Sequence, residues 1–484
     1  MKFNFNSIIN VLGILLMICG GFMLFCVPFS VFYQDNDWQY ILLAAGITLG
    51  VGFTGWWTTK NIVNKELKKR DGYLIVTFGW IIMSLFGTLP YILTGEIPNF
   101  TNAFFETVSG FTTTGASVIT DIESVSKGIL LWRSITQWIG GLGFVVLAVA
   151  ILPILGIGGM QLFTAESPGL SPDKLKPRIK DTAKRLWFIY LGLTFAETIF
   201  LMFGGMTFFD AFNHGLTTMA TGGFSTKNAS AAEFTPYIQY VIALFMFFAG
   251  TNFAVIYYLG KRKFNKVWGN EEFRFYSLTV VILTTLVGVS IYYVTDYSFE
   301  KSFRDGLFQV LSILTTTGYV SADYTAWTPF LTIIFFLLMF IGGSTGSTAG
   351  GVKILRHIIL FKNSSLELKR QLHPSAVIPV RINGKAVSPD TVYNILAFFV
   401  LFLSIFALGT IAMALIGLDF MTALGAVATS LGNIGPGLGN VGPVDNFAMI
   451  PSAGKWLLSL LMILGRLELF TVLMLFTAYF WRRF

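Results

Sequence analysis

The sequence predicts an all-α membrane protein, with two N-terminal transmembrane helices followed by four helix–pore-loop–helix repeats. Three observations predict it. Of 484 residues, 54% are hydrophobic and only 12% are charged, and the mean hydropathy is +0.69. That composition belongs to a chain that crosses a membrane many times. Ten apolar stretches reach about 20 residues, the length a bilayer requires. Between the later stretches, a short Thr/Gly element recurs four times.

The expected spans are 8–30, 39–59, 73–94, 129–152, 185–204, 236–259, 275–295, 328–360 (interrupted), 391–416 and 454–480. The first follows a single lysine, Lys2, and lacks a small-residue cleavage site, so it reads as a retained helix. Cys19 and Cys26 fall seven residues apart in that helix. This separation is about 10 Å along the axis, too far for a disulfide, so both read as core thiols. His214, His357 and His373 are the three histidines, and no Cys/His metal pattern is present.

Orientation follows from lysine and arginine. With the N-terminus inside, basic residues cluster at Lys60–Arg70, Lys174–Arg185, Lys261–Arg274, Lys353–Lys385 and Arg482–Arg483, all on one side. Lys127, Arg133, Lys227, Lys301, Arg304 and Lys455 fall on the other side, and Arg466 falls within a span. Both termini are therefore expected on the cytoplasmic face. The net charge of +8 then comes from topology, and no nucleic-acid partner is needed. The opposite face is rich in acids, among them Asp35, Glu96, Asp121, Glu123, Asp323, Asp419 and Asp445. A negative mouth concentrates cations.

The last eight spans pair up, each pair joined outside by one Thr/Gly element. The four elements read SGFTTTGAS at Ser109–Ser117, MATGGFS at Met219–Ser225, LTTTGYV at Leu314–Val320 and LGNIGPG at Leu431–Gly437. Four short helices precede them: Ala103–Glu106, Ala211–His214, Gly306–Gln309 and Ala423–Ala426 start the same distance before Gly115, Gly223, Gly318 and Gly435. Gly222 adjoins the second of these glycines, but helix register and the match of Phe224 to Tyr319 favour Gly223. Repetition of this kind has to be established before any single motif is trusted. The layout is that of a potassium-channel pore subunit, written four times.

Chemistry explains the residue types. A dehydrated monovalent cation needs oxygens in place of its water, and extended backbone supplies them as carbonyls. Glycine permits the required backbone angles, and a threonine hydroxyl adds a ligand. The C-terminal end of each short helix favours a cation beneath it. Irregular backbone at membrane depth is tolerated only inside protein or along water. Small-residue packing between helices explains one TTTG, but not four copies at matched offset. The candidate cation-binding residues are Thr113, Thr114 and Gly115; Thr221, Gly222 and Gly223; Thr316, Thr317 and Gly318; and Asn433, Ile434 and Gly435.

A second singular stretch, GGSTGSTAGG, interrupts the eighth span and comprises Gly342, Gly343, Ser344, Thr345, Gly346, Ser347, Thr348, Ala349, Gly350 and Gly351. Glycine costs a helix about 1 kcal/mol each, so this run breaks the span. It is not a phosphate loop, since GxxxxGK[ST] is absent. It reads as a flexible kink or as an intramembrane gate under the filter. Arg466, an arginine inside a span, is costly and usually functional. It is placed to reach the loop or to pair with Glu468 or Glu197.

These motifs, together with QWIGGLGF at Gln137–Phe144 and GRLE at Gly465–Glu468, resemble the TrkH/TrkG family of bacterial potassium-uptake proteins. Its superfamily includes KtrB and the plant HKT transporters. The resemblance covers the whole chain. It implies potassium uptake across the bacterial inner membrane, a pseudo-fourfold pore in one chain and a homodimer. It also implies that the loop with Arg466 is the gate and that a cytosolic ring of TrkA subunits binds the regulatory ATP or NAD. Potassium is then substrate, and the chain itself carries no cofactor. The divisions expected are 1–70 for the two N-terminal helices, then pore repeats at 71–160, 161–260 and 261–362, a cytosolic linker at 363–390 and a last repeat at 391–484. The repeats depart from TVGYG, with Ala116, Phe224, Tyr319 or Pro436 after the aligned glycine, so fewer regular ion sites and weaker discrimination against sodium are expected. Two alternatives stand beside the gated pore. A proton- or sodium-coupled symporter would use Glu197 or Glu468. An intramembrane enzyme lacks any Ser/His pair or carboxylate dyad at catalytic spacing. Membrane lipid is an expected partner of the basic cytosolic stretches.

Overall fold

The computed structural model describes residues 3–61, 68–141, 143, 179–373, 375–376 and 378–482. The inner end of the span expected at 129–152 and the start of the basic stretch from Lys174 lie outside the described residues.

Phe5–Phe32 and Trp38–Thr59 form an N-terminal helical hairpin. Its seam is made of small residues. A Cβ on Gly13 would lie 2.7 Å from the Gly52 carbonyl oxygen, and a Cβ on Gly52 would lie 2.7 Å from that of Gly13. The two backbones therefore touch, as helices do in lipid when packing and not water drives association. Asn10 closes the far end, its Nδ2 donating to Thr59 Oγ1 at 3.0 Å. Cys19 and Cys26 are buried free thiols.

Four repeats follow, each with an outer helix, a short pore helix and an inner segment. The outer helices are Lys69–Gly87, Ile179–Phe203, Glu271–Val294 and Pro389–Ile416. The pore helices are Phe100–Phe111, Phe208–Met219, Phe299–Leu314 and Phe420–Gly432. Each pore helix begins at a capping side chain that accepts a backbone N–H three residues on. Asn99 accepts from Asn102, Thr207 from Asp210, Ser298 from Lys301 and Asp419 from Thr422. Such caps satisfy donors that the first helical turn leaves free. They let helices too short to span the bilayer start reproducibly at its outer side.

The inner segments depart from the straight spans that hydropathy predicts. Lys127–Gly141 starts the first. In the second, Pro236–Ala249 and Phe253–Gly260 bend by 109°, and in the fourth, Ser452–Arg466 and Phe470–Phe476 bend by 111°. The third consists of Pro329–Leu338, the glycine-rich loop, and Ile354–Leu372. The expected continuous helices at 236–259 and 454–480 are thus broken at the depth of that loop. Local chemistry accounts for the breaks. Asn252 stops one helix and caps the next, its side chain accepting from Ala254 N. Glu468 and Leu469 both have positive φ, +55° and +58°, which ends the helix before them. Among the described residues, six unbroken helices are long and apolar enough to cross a membrane, or up to eight if each bent pair is one span.

The segment before the last outer helix adds a small antiparallel hairpin, Arg381–Ile382 against Lys385–Ala386. Asn383 and Gly384 turn it with φ of +49° and +76°, the left-handed pair that two-residue hairpins favour.

Candidate functional site

The four Thr/Gly elements are superposable in backbone detail. In each, the residue two before the aligned glycine donates its N–H to the carbonyl five before that glycine. The residue one before donates to the carbonyl six before. The pairs are Thr113 to Gly110 and Thr114 to Ser109; Thr221 to Thr218 and Gly222 to Thr217; Thr316 to Ile313 and Thr317 to Ser312; Asn433 to Ser430 and Ile434 to Thr429. The dihedrals repeat too. Thr113, Thr221, Thr316 and Asn433 have φ of +53° to +56°, and Gly115, Gly223, Gly318 and Gly435 have φ of +74° to +108°. Asparagine takes a left-handed conformation readily, whereas threonine there is a genuine outlier. Strain of this kind persists where surrounding structure over-determines it and marks functional segments.

The elements form a closed ring. A Cβ on Gly115 would strike the carbonyl oxygen of Gly222, one on Gly223 that of Thr317, and one on Gly318 that of Ile434. One on Gly435 would lie 2.8 Å from that of Thr114. Each glycine meets the carbonyl just before the aligned glycine of the next repeat, and the fourth returns to the first. Four strands related in this way surround a common axis. The ring also aligns Gly223, and not Gly222, with the other three. All the residues two before the glycines are buried.

Polar side chains brace the ring from behind. Nine residues before each aligned glycine, the pore helices carry Glu106, His214, Gln309 and Ala426. Glu106 accepts from Ser117 Oγ at 3.0 Å and from Val118 N at 2.9 Å. His214 Nε2 lies 3.0 Å from Ser225 Oγ, and Gln309 Nε2 donates to Ser321 Oγ at 3.3 Å. The fourth repeat has alanine here, and its Gly425 instead packs directly on the backbone of Leu438. His214 is thus a strut, bonded through Nε2 to Ser225 and through Nδ1 to the Asp210 carbonyl at 2.7 Å.

Two braces were missed by sequence reasoning. Arg133, sorted above with the outside charges, is buried in the first inner helix. Its Nε pairs with Glu106 at 2.7 Å, its Nη1 donates to Ser225 O at 3.0 Å, and its guanidinium stacks on Phe224. Its position inside the span 129–152 was the available signal. Gln137, noted above only as the start of QWIGGLGF, donates from Nε2 to Gly222 O and accepts Phe224 N–H at 3.0 Å. The first repeat therefore holds the Thr/Gly segment of the second. Tyr319, next to Gly318, hydrogen-bonds through its hydroxyl to Thr217, linking the third segment to the second pore helix.

The loop Gly342–Gly351 lies under the ring and contacts the second, third and fourth repeats. Gly350 N donates to Thr316 Oγ1 at 2.6 Å. Thr348 Oγ1 donates to Met219 O at 3.0 Å and to Ala249 O at 3.1 Å. A Cβ on Gly350 would lie 2.7 Å from Gly432 O. Arg466 joins the first repeat to the loop. Its Nη1 donates to Thr348 O at 2.9 Å, and its Nη2 donates to Gly140 O and, at 3.0 Å, to Gly141 O. Ser344 N donates to Gly250 O at 2.9 Å, and Thr345 N to Glu272 Oε1 at 2.6 Å. Ser347 bonds only within the loop, to Ser344 O. Gly342, Gly346 and Gly351 have φ of +80°, +75° and +69°, so the loop's turns depend on glycine. Gly343 packs against Gly250. Of the two acids weighed as partners of Arg466, Glu468 is engaged by Arg356, and Glu197 is buried on the second outer helix.

Away from the ring, the Asn228 amide donates to Asp121 at 2.9 Å and holds its carboxyl below the usual range. The Thr422 hydroxyl and backbone N–H do the same for Asp419. Among the described residues, no group of three or more His, Cys, Asp or Glu is arranged to hold a metal ion.

Comparison with known proteins gives a consistent picture. The family model of TrkH, a cation transport protein, matches residues 39–482. The Trk system potassium uptake protein TrkH of Halomonas elongata is 40% identical, over 99% of this chain and 99% of its own. That of Escherichia coli is 39% identical, over 99% and 100%. The crystal structure of the potassium transporter TrkH from Vibrio parahaemolyticus matches with a TM-score of 0.88 at 36% identity, covering 99% of this chain and 100% of that one.

Proposed function

The chain belongs to the TrkH family of cation transport proteins, and we propose that it takes up potassium across the bacterial inner membrane through the ring of Thr/Gly elements. The observation that carries this reading is ring closure, in which each aligned glycine abuts the carbonyl before the next. Carbonyls gathered around one axis replace an ion's hydration shell. The strained threonines at Thr113, Thr221 and Thr316 are the cost of that arrangement. Unequal residues after each glycine leave few complete carbonyl rings, so potassium is preferred over sodium only modestly.

In the same reading Gly342–Gly351 is the gate and Arg466 its latch. Bonds from Arg466 to Thr348 O and to Gly140 and Gly141 O tie loop and wall together beneath the filter. Regulation belongs to a separate cytosolic nucleotide-binding partner of TrkA type, and two copies of the chain assemble as a dimer with both termini cytoplasmic. Transport needs no coupling ion. One charge gains about 2.3 kcal/mol per 100 mV, so roughly 150 mV supports about a 300-fold potassium gradient. The symporter reading has Glu197 as its remaining candidate, because Arg356 neutralises Glu468.

Purified protein in liposomes tests the proposal. Rubidium flux without substrate chemistry is expected, with current reversing at the potassium potential whatever the imposed proton or sodium gradient. Reversal that tracks either of those gradients would establish coupling instead.

A further inference from the structure

One side chain beside the loop is neither filter nor latch, and its placement is costly in three ways. Lys353 has φ +65° and ψ 130°, a conformation that non-glycine residues hold only under constraint. It is the N-cap of the helix Ile354–Leu372, whose partial positive end disfavours a cation. It is also buried, at 8% exposure, and a buried ammonium is unfavourable unless paired. Among the described residues no carboxylate lies within ion-pair distance of it. Of the nearby acids, Glu468 binds Arg356 and Glu272 accepts from Thr345 N. The Lys353 ammonium instead donates to Ala349 O, a carbonyl of the loop itself.

That carbonyl lies between Thr348 and Gly350, the two loop residues that contact the second, third and fourth repeats directly under the ring. In the reading proposed above, the ammonium is then held against the loop beneath the ring, beside the route of an ion leaving the filter. A protonated amine carries the same charge as a potassium ion and is held here by the same kind of ligand, a backbone carbonyl.

We propose that Lys353 is a tethered cation that occupies the inner side of the closed loop and excludes cytosolic cations from the filter, so that residual current rectifies inward. The inference rests on reading Gly342–Gly351 as the gate. Because Lys353 stands two residues after the loop and is bonded to it, its charge leaves the path when the loop moves. A unit charge within a few ångströms biases monovalent occupancy by about tenfold or more at the effective permittivity of a protein–water boundary.

The test uses the full-length chain, without its soluble partner, in giant proteoliposomes of defined orientation, clamped at equal positive and negative potentials in symmetrical potassium. Wild-type residual current is expected to be inwardly rectifying. Lys353→Met should bring the inward-to-outward ratio about tenfold closer to unity, while Lys353→Arg keeps it. Lys353→Gly relieves the positive φ, so it should keep or raise the melting temperature while losing rectification. A purely structural lysine would lower that temperature and leave the ratio alone. A deletion within the loop separates the two ideas. If the deletion leaves flux at the wild-type level, the gate reading fails. If the deletion raises flux but Lys353→Met and Lys353→Gly rectify as wild type does, the gate stands and the tethered-cation proposal is overturned.

Discussion

The filter ring and the loop beneath it have similar sequences and are held in different ways. Both are runs of Gly, Ser and Thr with alternate left-handed residues. Each filter segment is tied to its own pore helix by two backbone hydrogen bonds. Three of the four gain a further side-chain strut from Glu106, His214 or Gln309. The loop is held by scattered single bonds. Thr348 and Arg466 tie it to other repeats, and Thr345, Gly350 and Ala349 make one bond each to Glu272, Thr316 and Lys353 of its own. Segments with redundant local bonds stay fixed, while those with few cross-repeat bonds open at lower free energy. In the reading proposed here, one composition then serves both a rigid part and a movable one.

The largest expected effect is on the rigid part. Gly318→Ser puts a Cβ onto the Ile434 carbonyl, whereas Gly435→Ser meets its nearest atom at 2.8 Å. Overpacking costs about 1–3 kcal/mol, which falls here on ion affinity. The half-saturating rubidium concentration should rise about 5- to 150-fold for Gly318→Ser and less for Gly435→Ser, with normal expression. Wild-type uptake kinetics in both would remove the filter assignment.

The movable part should respond in the opposite direction. Hydrogen bonds from a charged group contribute about 1.5–3 kcal/mol each. Arg466→Ala should therefore raise partner-independent flux by about tenfold or more, and a deletion inside Gly346–Thr348 should do at least as much. Because Glu468 is already engaged by Arg356, Arg466→Ala does not strand that carboxylate. Flux at the wild-type level in a well-folded deletion would erase the distinction between loop and filter.

A brace sharpens the comparison further. Gln137→Ala removes two hydrogen bonds to the second filter segment, and leaves Gly222 O and Phe224 N without them at about 1–3 kcal/mol each. Sodium permeation relative to potassium should rise about tenfold, while total flux changes less. An unchanged reversal potential in mixed sodium and potassium would show that the segment is held by its pore helix alone.

The smallest effect concerns the outer mouth. Asp121 and Asp419 have carboxyls held below their ordinary range by Asn228 and Thr422. A lowered value keeps the charge as pH falls, so both remain anionic at pH 5 and lose charge only in stronger acid. Lowering external pH from about 7 to 5 should change uptake by less than about twofold. A fall well beyond that would assign the mouth's field to other groups.

Much of this arrangement was legible in the chain. Spans, short pore helices and the four aligned glycines are local patterns of hydropathy, capping and turn chemistry. Asn99, Thr207, Ser298 and Asp419 each stand where a helix must start, and their side chains announce it. The positions that escaped reading were pairings. Arg133 looked like a loop charge because nothing near it in sequence suggested Glu106 as its partner. Gln137 stood out only as part of a motif because its partners, Gly222 and Phe224, belong to another repeat.

By itself, the sequence determined which residues have the freedom or the oxygen atoms that a filter needs, because propensity and spacing act over a few residues. It also determined the number of repeats. Tertiary structure alone decided that the ring closes from Gly435 back to Thr114. It also decided that inner segments bend sharply at Asn252 and Leu469, and that Arg466 meets Thr348 and Gly140. Those facts depend on distances between groups more than a hundred residues apart in the chain, or on a choice between continuing a helix and satisfying a neighbour. Hydrogen bonds and close backbone contacts form only within a few ångströms, so such choices are made when the repeats pack.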